Sequence, residues 1–164
     1  MRKSLFLILA FLIPAACLQA QTTDEASITE VIHKLFTAMN KADSSMLRSV
    51  FESEVTMATA MRNKEGKPVL KREYSINDFV KSIGTAQPGS LSEEIWNLKI
   101  QIDGEFAQAW CDYAFYYNNK FLHCGVDAFQ LYKGATGWKI FHLADTRKKE
   151  GCNVPEEIKK KHSN

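Results

Sequence analysis

From Glu94 to Arg147 the apolar residues of this chain recur at every second position, with short polar interruptions. Trp96, Leu98, Ile100 and Ile102 alternate with Asn97, Lys99 and Gln101. A period of two is the signature of a strand with two distinct faces. Asp103-Gly104 is a strong hairpin signal, Asn118-Asn119 a second turn, and Gly134-Ala135-Thr136-Gly137 a third. This half of the chain therefore reads as four meandering antiparallel strands, the last ending at Arg147.

The preceding half reads differently. Ile28, Val31, Ile32, Leu35, Phe36 and Met39 recur at helical spacing, with Asp24 and Glu25 near the helix start. Asp43 is an N-cap type residue for a short second helix that buries Met46, Leu47 and Val50. Val55 to Met61 reads as a strand, Arg62 to Lys67 as a turn, and Pro68 to Tyr74 as an edge strand. Ser75-Ile76-Asn77-Asp78 resembles a capping box for a third helix through Ile83. The order is helix, helix, strand, strand, helix, then four strands: an α+β class.

The start of the chain has the three parts of a secretory signal. Arg2 and Lys3 precede an apolar run from Leu5 to Leu18, and Ala20 precedes polar Gln21-Thr22-Thr23. The run is shorter than the ~20 residues a spanning helix needs, so no membrane span is expected. The expected organisation is a signal peptide over 1–20, one domain over 21–152 and a polar tail over 153–164. A periplasmic or secreted protein follows. Cys17 admits a lipoprotein reading, but Pro14 stands where such signals carry a branched aliphatic residue.

Of 21 basic and 19 acidic residues, the signal removes two basic ones, leaving 19 of each. A neutral mature chain gives no electrostatic reason to expect nucleic acid as partner. Arg147, Lys148 and Lys149 and the later lysines read as part of a solvated tail. Three cysteines remain, Cys111, Cys124 and Cys152, an odd number in a compartment where disulfides form. Glycine-rich phosphate loops, nucleophile elbows and zinc signatures are absent, so no metal or cofactor is expected.

Pairing Tyr117 with Lys120 across Asn118-Asn119 places Trp110, Asp112, Ala114 and Tyr116 on one face with His123, Gly125, Asp127 and Phe129. A turn over Gly134–Gly137 adds Ile140, His142 and Ala144. Ala107, Ala109, Cys111, Tyr113 and Phe115 share the other face with Val126, Ala128, Phe141 and Leu143, joined by Trp96, Leu98 and Ile100. A bulge would break this register. Asp112, His123, Asp127 and His142 among Trp110, Tyr116 and Phe129 look like a small-ligand pocket, apolar walls with a few ionisable groups. The bland alternative is a set of hydrogen-bonded structural residues. Both faces of these strands are largely apolar, so both need cover; helices supply one and a partner subunit or a cavity the other.

Gly104-Glu105-Phe106-Ala107, Tyr113 to Tyr117, His123-Cys124-Gly125-Val126-Asp127-Ala128-Phe129, Gly137-Trp138-Lys139-Ile140 and Asp145-Thr146-Arg147 resemble the nuclear transport factor 2-like superfamily. Within it the likeness is to the bacterial branch labelled lumazine-binding or SnoaL-like. The resemblance implies a cone: a strongly curved, mainly antiparallel sheet wrapped around the long N-terminal helix, with a pocket between them. It also implies a homodimer built on sheet faces.

Cys124 is expected to pair with Cys152. The register puts Cys124 opposite Arg147, five residues before Cys152, and a His-Cys-Gly strand with a terminal Gly-Cys looks like a recurring pair in this branch. The rival bridge, Cys111 with Cys124, would join adjacent in-register strands, where the geometry is strained.

Two functions stand open. One is an exported protein binding a small, partly apolar molecule. The other is an isomerase, dehydratase or cyclase in which Asp127 takes a proton from an acidic C–H and His123 or Tyr116 stabilises the oxyanion. Asp127 deep in a closed pocket beside a His or Tyr favours chemistry.

Overall fold

The computed structural model describes residues 15–73 and 75–163, with side chains from residue 23 onward except that of Glu73. Most of the expected signal's apolar run, Tyr74 and the Cys17 side chain lie outside the described residues. Helix α1 (Ala15–Lys41) begins ahead of the expected start and runs through the expected cleavage point. It is followed by α2 (Ser44–Ser49), β1 (Phe51–Arg62), β2 (Pro68–Glu73), α3 (Ile76–Gly84), β3 (Leu91–Asp103), β4 (Phe106–Tyr117), β5 (Lys120–Gly134), β6 (Gly137–Arg147) and α4 (Glu156–Lys161). The expected caps are in place: Asp43 Oδ1 accepts from the Met46 N–H at 2.8 Å, and the Ser75 side chain accepts from the Asp78 N–H at 3.3 Å.

The six strands form one curved sheet in the order β2-β1-β6-β5-β4-β3. All neighbours are antiparallel except β1 and β6, which run parallel. Each of the three hairpin ladders from β3 to β6 contains one irregularity. Asn97 and Leu98 together oppose Cys111, Leu122 is extra in β5, and Phe141 is extra in β6. Such bulges bend the bulged strand and increase its twist, which suits a sheet that must wrap a helix. The Asn118-Asn119 turn has both residues at positive φ, 49° and 61°, the twist that fits a two-residue hairpin.

The concave face packs on α1. Ile28, Ile32, Leu35, Phe36 and Met39 bury against Ala107, Ala109 and Cys111 of β4 and against Phe129, Leu131 and Ile140. The small β4 residues let the helix approach closely, and Phe36 meets Phe129 edge to face at 6.3 Å between centroids. Asp24 fixes the start of this packing: it accepts from Trp138 Nε1 at 3.1 Å and lies 2.7 Å from Lys133 Nζ.

On the convex face Ala114, Tyr116 and Cys124 are covered by Val154, with Trp96, Cys152 and Ile158 around them. The segment expected as a polar tail thus folds back and carries α4. The Cys124–Cys152 disulfide holds it, with Cα atoms 6.0 Å apart, and Cys111 is free and buried. His162 stacks on Tyr116 at 3.8 Å between ring centroids. Among the described residues no helix is long and apolar enough to cross a membrane.

Candidate functional site

Between the concave sheet face and helices α1 and α3 lies a cavity of about 130 Å³. Leu35, Phe36, Met39, Met57, Phe79 and Leu143 form its apolar wall. Its polar lining is Thr59, Glu93, Tyr113, His123, Asp127, Asp145 and Arg147. Every strand except the edge strand β2 contributes to it.

Asp127 is 4% exposed, and its Oδ2 has no conventional hydrogen-bond donor. The Glu93 carboxyl lines the same cavity, and each of the two carboxyls perturbs the protonation of the other. Two carboxyl groups brought together disfavour the state in which both are ionised. Burial pushes Asp127 well above the ordinary carboxylate range, and the Glu93 charge pushes it further. Glu93 is pushed up to about 7 by burial, with Asp127 opposing it and the Asp145 charge adding to it. Both carboxyls are therefore pushed toward their protonated forms.

Asp145 is arranged in the opposite way. It accepts from Thr59 Oγ1 at 2.5 Å, from Arg147 Nε at 2.7 Å and from the Tyr113 hydroxyl at 3.2 Å. Thr59 reaches it because β1 and β6 pair in parallel with Thr59 opposite Asp145. The Tyr113 hydroxyl also donates to the Thr146 carbonyl at 2.9 Å. Burial, and then the charge of Asp145, keeps this phenol protonated.

His123 meets the Tyr113 ring edge to face and the Phe115 ring at a tilt, at 5.7 and 5.1 Å between centroids. Its Nδ1 is buried without a partner, and burial followed by the Arg147 charge pushes it down to about 4. It is thus a neutral imidazole at physiological pH. The site contains three carboxyl groups, two of them pushed toward the protonated form, with a neutral imidazole, a phenol and a guanidinium. That set can donate and accept protons within one small space.

Asp127 and His123, expected on one face with Trp110, Asp112, Tyr116, Phe129 and His142, line the cavity with other companions. The extra residue Leu122 shifts β5 by one position, so Asp127 lies opposite Cys111 and His123 opposite Phe115. A one-residue slip exchanges the two faces of a strand. Trp110 and Asp127 consequently point to opposite sides of the sheet. Trp110 is 52% exposed on the convex face, with His142 bordering the same shallow depression. His142 Nδ1 is 2.6 Å from Thr56 Oγ1. Asp112 accepts from Asn97 Nδ2 at 2.8 Å, and Tyr116 lies beneath the C-terminal segment. Phe129 is core beside α1 rather than cavity wall. Trp96 also changes sides, because the Asn97-Leu98 bulge intervenes between it and Leu98.

Glu93, Thr59, Tyr113, Asp145 and Arg147 were not foreseen as site residues. One signal was present. Gln101, Gln108 and Gln130 line up across three strands and continue to His142. Matching these glutamines as one solvent-facing row would have set Cys111 against Asp127.

No family model matches the sequence, and no curated protein matches it. Solved structures do match. One is a nuclear transport factor 2-like protein of unknown function from Shewanella baltica, with 22% identity over 79% of this chain and 97% of that one and a TM-score of 0.61. Another, from Novosphingobium aromaticivorans, is nuclear transport factor 2-like with a cystatin-like fold, 11% identical over 95% and 99% of the chains at a TM-score of 0.65. A third, from Streptomyces avermitilis, is a candidate dehydratase of the same family, 10% identical over 79% and 99% at a TM-score of 0.60. A curved six-stranded sheet, a long first helix and these neighbours together give the chain the nuclear transport factor 2-like fold.

Proposed function

We propose that the cavity binds a small, partly apolar molecule and moves a proton on it, as an isomerase or dehydratase does. The observation that carries this reading is the Glu93–Asp127 carboxyl pair facing the cavity. A structural core would gain nothing from two coupled, buried carboxyls, and their apolar burial costs stability unless function retains them. The roles differ from the sequence expectation for Asp127. Asp127, the more deeply buried and pushed toward its protonated form, is assigned as the acid, donating to a carbonyl or leaving hydroxyl oxygen. Glu93 is the base, taking the proton from the adjacent carbon. His123 and Tyr113 stay neutral and orient the oxygen, and Asp145 with Arg147 fixes the Tyr113 side.

The size of the cavity limits the substrate. About 130 Å³ is below the ~300–1,000 Å³ of pockets for drug-sized ligands. A compound of a few carbons with a carbonyl or hydroxyl fits; a polycyclic ligand does not. The Streptomyces avermitilis neighbour agrees in reaction type, though at 10% identity it speaks only to fold.

Export fits the same reading: the N-terminal segment has signal layout, and the disulfide belongs to an oxidising compartment. Homodimerisation through the convex face fits the exposure of Trp110, Phe106 and Tyr132 there. The direct test incubates the mature protein with small ketones and hydroxy acids in D2O and follows deuterium entry at carbon by NMR. Exchange abolished by Glu93→Gln and by Asp127→Asn supports proton transfer. Binding without exchange in every compound would leave a binding protein and defeat the enzyme reading.

A further inference from the structure

Beside the cavity lies a second depression of about 450 Å³, lined by Thr59, Met61, Arg62, Lys71, His123, Arg147, Lys148 and Lys149. Thr59, His123 and Arg147 line both spaces, so the two adjoin. Five of the eight lining residues are cationic, and among the described residues no acid lines this groove. That is unusual in a mature chain with equal numbers of acidic and basic residues. Several cations outside the groove meet carboxylates: Lys133 meets Asp24, Lys159 meets Glu156 and Lys161 meets Glu94. In the groove Arg147 is held by Asp145. Arg62 donates to the Gly66 carbonyl at 2.6 Å and Lys148 to the Gly151 carbonyl at 3.1 Å, partners that position the cations without neutralising them. The join between the two spaces carries the buried, unpartnered Nδ1 of His123, and the inner end carries the unpartnered Oδ2 of Asp127.

We propose that this groove binds the oxyanion of a bipartite ligand, a carboxylate or a phosphate ester, whose oxygen-bearing neutral end reaches the Glu93–Asp127 pair. The arrangement separates two tasks. A cleft of one charge sign concentrates anions at its mouth and holds them by charge-assisted hydrogen bonds. The buried carboxyls, which repel an anion, then meet only the uncharged end. This assignment rests on the proton-transfer reading for the ligand's inner end, while the groove's affinity for an anion is independent of it. The substrate class narrows to short keto or hydroxy acids, or to small phosphorylated carbonyl compounds.

The test titrates the mature protein with inorganic phosphate and, in a second arm, with succinate, following backbone amide shifts by NMR. Shifts centred on Arg62, His123 and Lys149 are expected, and the arm that binds tighter identifies phosphate or carboxylate. The double variant Arg62→Glu, Lys149→Glu should weaken binding about tenfold or more, the scale of one lost close charge contact. Lys99→Glu, on the convex face, should leave it unchanged. Glu93→Gln should abolish deuterium exchange yet keep anion binding, so failure of the chemistry is distinguishable from failure of the groove. Absence of shifts with both anions at millimolar concentration would overturn the proposal, as would equal weakening by Lys99→Glu.

Discussion

The carboxyl groups of Glu93 and Asp127 line one cavity although their strands are not neighbours. Glu93 lies opposite Phe115 and Asp127 opposite Cys111, on either side of β4 and four residues apart along it. Curvature closes that distance, and the bulges at Asn97-Leu98 and Leu122 bend the two outer ladders toward each other.

Such a pair should show in stability. A carboxyl whose folded pKa is raised stabilises the fold when protonated, and that contribution is lost as pH rises through the folded value. For Glu93 the window runs from the ordinary glutamate value of 4.5 up to about 7. Glu93→Gln removes this loss, so the variant should melt higher than the parent at about pH 8, with the difference shrinking toward about pH 5. Thermal unfolding at the two pH values checks it; a variant less stable at both would contradict the buried-pair account.

His123 acts in the opposite sense. Its folded value of about 4 is below the ordinary histidine value of 6.5, so its stabilisation is full above 6.5 and is lost as pH falls through 4. His123→Phe keeps the aromatic contacts with Tyr113 and Phe115 and should lessen acid destabilisation in that window. Acid unfolding curves of the two proteins would show the midpoint moving to lower pH.

Gly125 is where β5 crosses closest to β6. A Cβ there would collide with the Thr146 carbonyl, which Tyr113 also uses. Gly125→Ala should cost about 1–3 kcal/mol through forced displacement. It should also disturb Asp145 and Arg147 on either side of Thr146. Denaturant unfolding gives the first, and loss of deuterium exchange beyond the stability effect gives the second.

The disulfide prediction is a thiol count with an energy attached. The mature protein should show a single thiol, Cys111, that reacts only after unfolding, because burial raises its pKa far above the usual range. Reduction or Cys152→Ser should lower stability by about 3 kcal/mol for a loop of 28 residues. Two or more thiols reactive in the native state would contradict the pairing.

The convex face makes a prediction about assembly. Trp110→Glu should leave the fold intact and yield a monomer where the parent sediments as a dimer. A parent that is monomeric at micromolar concentration would remove the dimer reading.

How much of this was legible varies by range of interaction. Local features were readable: the Asp43 and Ser75 caps, the Asn118-Asn119 turn, the Lys133–Trp138 pairing and the grouping of Ala107, Ala109, Cys111 and Tyr113 on one face of β4 follow from spacing and turn chemistry, though not that this face turns inward. What failed was the phase between strands. Leu122 and Phe141 are ordinary strand residues, and nothing local marks either as the extra one. Phe141 moves the partner of Cys124 from Arg147 to Lys148, a step small enough to leave the Cys152 bridge possible. Leu122 moves Asp127 from one face to the other, which changes every neighbour it has. The parallel pairing of β1 with β6, which gives Asp145 its Thr59 partner, spans more than eighty residues and has no local signal. Glu93 was unreadable for a related reason: beside Glu94 it looks like half of a solvated acidic pair, and only the sheet's curvature turns it inward.

The central claim is that Glu93 and Asp127 perturb each other's protonation inside the cavity. Carboxyl carbon NMR of the mature protein across the pH range tests it most directly, with Glu93→Gln and Asp127→Asn to assign the two signals. The account predicts a Glu93 midpoint near 7, an Asp127 carboxyl that remains protonated well above the ordinary range, and a marked change in each signal when the other residue is replaced. Two independent titrations near the ordinary carboxylate values, indifferent to each other's replacement, would contradict it.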